Sequence, residues 1–180
     1  MPEKLNLGCG TDIRPGWVNL DHIALEGVDT VHDVSSIPYP FPDAYFGEIL
    51  CQDILEHLDN LPEVLFELKR ILVPGGLLRI RVPHFSSRNN YADPTHRRMF
   101  SLITFEFFVE KTYDERHYYF PEHFAEVVSS RITFNRHPIY CWNYIVEPLV
   151  NLCHFSQNYY EMTGLSRLFP GLNLEVVLRK

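Results

Sequence analysis

Apolar residues along the chain fall into short runs, separated by segments of helical spacing or by turn-forming residues. Lys4 to Gly8 alternates polar and apolar side chains and reads as a first strand, and Trp17 to Leu20 as a second. Val28 to His32 gives a third, Phe46 to Cys51 a fourth, and Leu77 to Val82 a fifth that Pro83 stops. Two later strands are expected at Ile132 to Phe134 and Leu172 to Leu178, the last alternating over most of its length.

Between the fourth and fifth strands the period changes. Leu61, Val64, Leu65, Leu68, Ile71 and Leu72 form one apolar helical face. Asp59 or Asn60 is expected to cap this helix, and Pro62 suits its first turn. Lys69 and Arg70 suit its C-terminal end, and Pro74-Gly75-Gly76 stops it. Such a helix between two apolar strands predicts a right-handed parallel crossover. Phe120 to Val128 predicts a second helix before the sixth strand, and Pro138 to Gly171 further helices before the last. This is the pattern of an α/β domain. No repeat or linker divides the chain, so residues 1–180 are expected to form one domain.

Composition narrows the partners. Hydrophobic residues at 46% support an ordinary globular core. The net charge of -7 argues against nucleic acid, since phosphate binding needs clustered Lys and Arg, and Arg97-Arg98 is too short a basic knot. No run has the length of a membrane span, and Met1 to Lys4 leads into a strand-like segment instead of a signal peptide. Cys9, Cys51, Cys141 and Cys153 are widely spaced, which favours free thiols and a cytoplasmic location over a disulfide framework. Nine histidines are present, but neither HExxH nor a paired Cys/His spacing, so no metal is expected.

The candidate chemistry begins at Gly8-Cys9-Gly10, immediately after the first strand. In an open parallel sheet, ligands sit beyond the carboxyl ends of the strands. A dinucleotide fingerprint needs a third glycine, but Ile13 stands there, and Thr11 to Gly16 leaves room only for a loop before the second strand. A tight turn without a ligand is the alternative for an isolated GxG. Asp21 ends the second strand, where a carboxylate can accept both ribose hydroxyls, and Asp33 ends the third, beside backbone amides suited to an adenine edge. Cys51 to His57 and Pro74-Gly75-Gly76 occupy matching places around the fourth and fifth strands.

With "LNLGCGTD", "IPYPFPDAYFGEILCQDILEHL" and "LVPGGLLRIRVP" in this order, the chain resembles the class I S-adenosylmethionine-dependent methyltransferases, in the type 11-like branch. The resemblance covers Lys4 to about Pro83; "YADPTHRRMFS" and "LFPGLNLEVVLRK" match a subset of these proteins more loosely. It implies a Rossmann-like, seven-stranded, mostly parallel sheet with an antiparallel last strand and an abbreviated first crossover helix. Residues 1–83 would be the cofactor-binding half, and residues 84–180 the substrate side. It also implies S-adenosyl-L-methionine as cofactor, with S-adenosyl-L-homocysteine as product. Leu7, Gly8, Cys9 and Gly10 would bring backbone to the methionine and ribose, Asp21 with His22 would bind the ribose, and Asp33 with Val34 adenine. Gln52 and Asp53 would flank the sulfonium. Asn6 stands where an acidic residue often binds the methionine amino group, which weakens that contact.

The segment from Pro83 to Phe100 follows the fifth strand on the cofactor edge and is long and polar, as active-site loops often are. His96, held by Asp93, is the candidate to polarise an acceptor hydroxyl; otherwise Asp93 only starts a turn and His96 caps a helix. His84 is a further candidate base, and His57 is either catalytic or structural. Aromatics at Phe105, Phe107, Phe108 and Tyr118 to Phe120 read as core or pocket wall. Tyr140, Trp142, Tyr144, Tyr159 and Tyr160 read as a stacking edge or a homodimer surface. The expected function is methyl transfer to a small-molecule acceptor, by preference a sugar or glycan hydroxyl because of "DPTH". A non-catalytic cofactor-binding module and an NAD-dependent oxidoreductase are the alternatives.

Overall fold

The computed structural model describes residues 3–110 and 118–180; the reading of Met1 and Pro2 lies outside them. Seven strands form one sheet: β1 (Glu3–Leu7), β2 (Val18–Asp21), β3 (Thr30–Val31), β4 (Phe46–Gln52), β5 (Leu72–Pro83), β6 (Glu126–Ile132) and β7 (Asn173–Arg179). Their order is β3-β2-β1-β4-β5-β7-β6. The first five run parallel, and β7 is antiparallel to both neighbours. This is the sheet implied by the resemblance. The chain reverses direction of growth between β1 and β4, so the loops after these strands diverge and open a crevice.

Helix α1 (Leu61–Ile71) makes the expected crossover from β4 to β5. Its buried Val64, Leu65 and Leu68 pack against Leu5 and Leu7 of β1, Ile49 and Cys51 of β4, and Leu78, Ile80 and Val82 of β5. Truncating a side chain such as Leu68, fully buried here, costs about 2–5 kcal/mol. No helix joins β1 to β2. The opposite sheet face is correspondingly ionic: Glu48 pairs with Lys4 at 2.7 Å and with Arg79. A strand covered on one side alternates, which is why β5 reads Leu78, Arg79, Ile80, Arg81, Val82.

After β5 come α2 (Asn89–Ala92) and, between β6 and β7, α3 (Asn143–Val150), α4 (His154–Met162) and α5 (Leu165–Leu168). Over the open face, α3 roofs a cavity of about 860 Å³ lined by Gln52, Arg79, Arg81, Arg131, Tyr144 and Glu147 among others. On the outer side of α3 and α4, Ile145, Leu149, Phe155 and Met162 stay exposed. No helix among the described residues is long and apolar enough to cross a membrane.

Three local readings are corrected. Phe120 to Val128 is not a helix; β6 begins at Glu126, ahead of the expected Ile132 to Phe134. Phe124, Val127 and Val128 have helical spacing only because a bulge inserts Val128, so that Val127 pairs with Leu178 and Ser129 with Val177. The fifth strand starts earlier, at Leu72, and the Pro74-Gly75-Gly76 segment bulges out where Phe46 pairs Leu72 and Glu48 pairs Leu77. At the start of α1, Asn60 occupies the cap position without a side-chain cap; its Nδ2 donates instead to the Ser35 carbonyl at 2.9 Å.

Candidate active site

The loop after β1 is set by glycine geometry. Gly8 has φ +65° and Gly10 φ +50°, a left-handed region that other residues occupy only with strain. A Cβ on Gly8 would meet Ile54 Cγ1 at 2.7 Å, whereas nothing lies within 4 Å of one on Gly10. Gly10 therefore faces open space. Its amide donates to Asp21 Oδ2 at 2.8 Å, and the Ile23 amide donates to Asp21 Oδ1 at 3.0 Å. Burial opposes ionisation of Asp21, but these two amides, together with the ring and amide of His22, outweigh it and hold the carboxyl below its usual range. His22 Nδ1 lies 3.0 Å from Asp21 Oδ1.

Asn6 is buried and braces the loop, donating to the Asp12 carbonyl at 2.7 Å and to Asn19 Oδ1 at 3.2 Å. Leu7 points into the core and brings only backbone to the crevice. Asp33 Oδ1 accepts from the amide and the hydroxyl of Ser35, each at 2.8 Å, which holds its carboxyl low; Val34 beside it is buried. A cavity of about 170 Å³ is lined by Asn6, Gly8, Cys9, Thr11, Asp12, Gln52, Asp53 and Arg81. Gln52 Oε1 accepts from Arg14 at 2.9 Å, and Asp53 pairs with Arg81, whose Nε lies 3.1 Å from Oδ1.

S-adenosylmethionine, which the sequence resemblance implies, fits these residues. The methionine tail carries a carboxylate, an ammonium and a sulfonium, and the cavity offers Arg81 and the carboxylates of Asp12 and Asp53. The bare Gly10 edge leaves room for backbone approach. The cavity is below the range of about 300–1,000 Å³ usual for ligand sites, and the Arg14 bond to Gln52 lies at its Gln52 wall.

Beyond β4 a second cavity, about 640 Å³, is lined by Asp53, Glu56, His57, Pro83, Asn89, Asp93, His96 and Leu172 among others. Asp53, in a left-handed conformation at φ +53°, lines both cavities. Glu56 is 1% exposed, neither carboxylate oxygen has a hydrogen-bond partner, and burial pushes its pKa up to about 7. His96 Nε2 lies 4.0 Å from Glu56 Oε1 and 3.8 Å from Asp93 Oδ2. The rings of His57 and His96 meet edge-on at 4.8 Å between centroids. Asp93 also starts a turn, its Oδ1 accepting from the amide (2.8 Å) and hydroxyl (2.6 Å) of Thr95.

The structure thus brings His57, Asp93 and His96 together beside Asp53. It does not bring His84 there. That residue is fully buried, its Nδ1 2.8 Å from Ser86 Oγ and its Nε2 3.0 Å from Glu161 Oε1, so it is scaffold. Phe105 and Phe108 are core, whereas Tyr118 and Tyr119 are exposed. Glu56, which the sequence reading does not name, also lines this cavity; its signal is an acid set between Leu55 and His57 in an apolar turn, where burial strands its charge.

Residues 6–80 match the family model described as a methyltransferase domain. The methyltransferase fold extends further: a SAM-dependent methyltransferase from Archaeoglobus fulgidus superposes with a TM-score of 0.67 at 18% identity, covering 99% of this chain and 86% of that one. A methyltransferase described as putative, from Bacillus halodurans, gives 0.61 at 15%, covering 99% and 92%. A SAM-dependent methyltransferase from Thermotoga maritima, described as a possible histamine N-methyltransferase, gives 0.60 at 16%, covering 100% and 83%. At these identities the likeness is one of fold. No curated protein matches the sequence.

Proposed function

We propose that the protein transfers a methyl group from S-adenosylmethionine to a hydroxyl of a small polar acceptor of the sugar or glycan type, leaving S-adenosylhomocysteine. The observation that carries this reading is the position of Asp53 on the wall between the glycine-loop cavity and the histidine-lined cavity. Donor and acceptor can therefore meet at one carboxylate.

When bound, the cofactor supplies an electrophilic methyl on a sulfonium. Asp21 and the Gly10 edge hold the ribose, Asp33 and Val34 the adenine, and Gln52 with Asp53 stabilise the cationic end. Methyl transfer asks chiefly for alignment: the acceptor oxygen must lie in line with the breaking bond, and its proton must leave. His96 and His57, with Asp93 within 3.8 Å of His96, stand where that proton is handled.

A further cavity of about 730 Å³ shares Asn89 and Leu172 with the histidine-lined one. It carries Tyr91, Tyr140 and Trp142 beside Asn135, Asn143 and Arg88. Flat aromatic faces with amide donors suit the apolar faces and hydroxyl rims of sugar rings, which supports that acceptor class. The apolar outer side of α3 and α4 supports a second copy of the chain as the macromolecular partner.

The test is calorimetric titration with S-adenosylmethionine, S-adenosylhomocysteine and NADH, followed by label transfer to a panel of sugars. Saturable binding of the first two with labelled sugar as product is expected. Binding of NADH alone would end the proposal, and cofactor binding without transfer to any acceptor would leave a binding module.

A further inference from the structure

The loop carrying His96 is built onto the 3₁₀ turn Leu55–His57. The Arg97 amide donates to the Glu56 carbonyl at 2.9 Å, and the Arg98 side chain donates to the carbonyls of Leu58 (2.9 Å) and Asp59 (2.7 Å). These bonds hold three ligating side chains together. One atom each of Glu56, His57 and His96 lies within 4.8 Å of the other two.

The carboxylate of this cluster is unmet. Both Glu56 oxygens are buried without a hydrogen-bond partner, with His96 Nε2 4.0 Å from Oε1, and native proteins rarely leave a carboxylate so. For His57 the neighbours set the tautomer. The Thr95 hydroxyl gives its one proton to Asp93 Oδ1, so at 2.9 Å from His57 Nδ1 it accepts. His57 therefore carries its proton on Nδ1 and presents the Nε2 lone pair, the arrangement that an outer-shell partner imposes on ligating histidines.

We propose that Glu56, His57 and His96 bind one divalent transition-metal ion of the zinc or manganese type, with Asp93 and Thr95 as outer-shell supports. Two imidazoles and one carboxylate suit such an ion, whereas magnesium and calcium favour oxygen ligands and water. Ligand atoms at bonds of about 2.1 Å sit roughly 3.4 Å apart around a tetrahedral centre, so the cluster closes by on the order of 1 Å on binding. Three protein ligands leave a position open, and it faces the cavity that Asp53 shares with the glycine loop.

The role of that ion rests on the methyltransferase reading; its binding does not. With the acceptor hydroxyl in the open position, the ion lowers the pKa of the hydroxyl, and the proton passes to solvent water. The oxygen pair then forms the bond to the methyl carbon as the C–S pair returns to sulfur. His96 acts in this scheme as a ligand instead of the base.

The experiment is a titration of chelator-treated protein with Co²⁺ and Zn²⁺, read by cobalt absorption, calorimetry and thermal unfolding, with Mg²⁺ as comparison. One equivalent of Co²⁺ or Zn²⁺ is expected to bind and raise the unfolding temperature, while Mg²⁺ at equal concentration does neither. Glu56→Gln and His96→Gln should each weaken binding at least tenfold, and His137→Gln, an exposed histidine elsewhere, should not. Thermal unfolding of the metal-free variants verifies that they fold. Equal affinity in Glu56→Gln and wild type, or no saturable binding, would overturn the site. Parallel titration with S-adenosylhomocysteine in chelator separates the readings: cofactor binding without metal binding removes only the metal, and metal binding without cofactor binding removes only the transferase.

Discussion

The Gly10 amide donates to Asp21 Oδ2 at 2.8 Å, joining the loop after β1 to the end of β2 without an intervening helix. In this shortened crossover one carboxylate both closes the loop and lines the proposed ribose site. Asp21→Asn keeps one acceptor oxygen and loses the charge. It is expected to weaken S-adenosylhomocysteine binding by about 1–3 kcal/mol, roughly 5- to 150-fold, by calorimetry. Unchanged affinity would remove Asp21 from the cofactor site.

The two glycines of the loop should respond differently to alanine. Both are left-handed, a conformation that costs other residues about 1–3 kcal/mol. Only Gly8 adds a collision, 2.7 Å from Ile54 Cγ1. Gly8→Ala should therefore lower the unfolding temperature more than Gly10→Ala, at about 2–4 °C per kcal/mol for a domain this size. Equal shifts would mean that Ile54 yields freely.

His84 and Glu161 form a buried pair at 3.0 Å, and Glu161 also accepts the Leu102 amide at 2.7 Å. His84→Ala is expected to destabilise the fold, because truncation strands Glu161 and opens a cavity, by about 2–4 kcal/mol. Its affinity for S-adenosylhomocysteine, measured below the unfolding transition, should match wild type. A selective loss of cofactor binding would return His84 to the site.

Acid stability should depend on Glu67. Arg70 donates to both its oxygens, at 2.7 and 2.9 Å, and the Tyr39 amide adds a third bond, so the folded carboxyl is held below its usual value. The unfolded state then binds more protons, and stability rises with pH through the window. The contribution is complete above the unfolded value of about 4.3 and is lost as pH falls through the lower folded value. Between pH 6 and 3.5, wild type should lose more unfolding temperature than Glu67→Gln; parallel slopes would show that the pair contributes nothing to acid stability.

Much of the frame could be read from residue order. The alternating run from Leu172 to Leu178 placed β7 and the spacing from Leu61 to Ile71 placed α1, because these two each bury one face and their periodicity states which, while short apolar runs placed β1 and β4. The glycines after β1 and the carboxylates after β2 and β3 were legible for the same reason: backbone conformation and strand ends are local. β6 was not, because a bulge within an exposed edge strand imitates helical spacing. The acceptor end was legible only in part. Sequence alone determined that His57, Asp93 and His96 follow strands on the ligand-binding edge. Only the tertiary structure decided that His96 stands 4.0 Å from Glu56 and that His84 is sealed against Glu161, since both depend on contacts between segments dozens of residues apart, where no local period carries information.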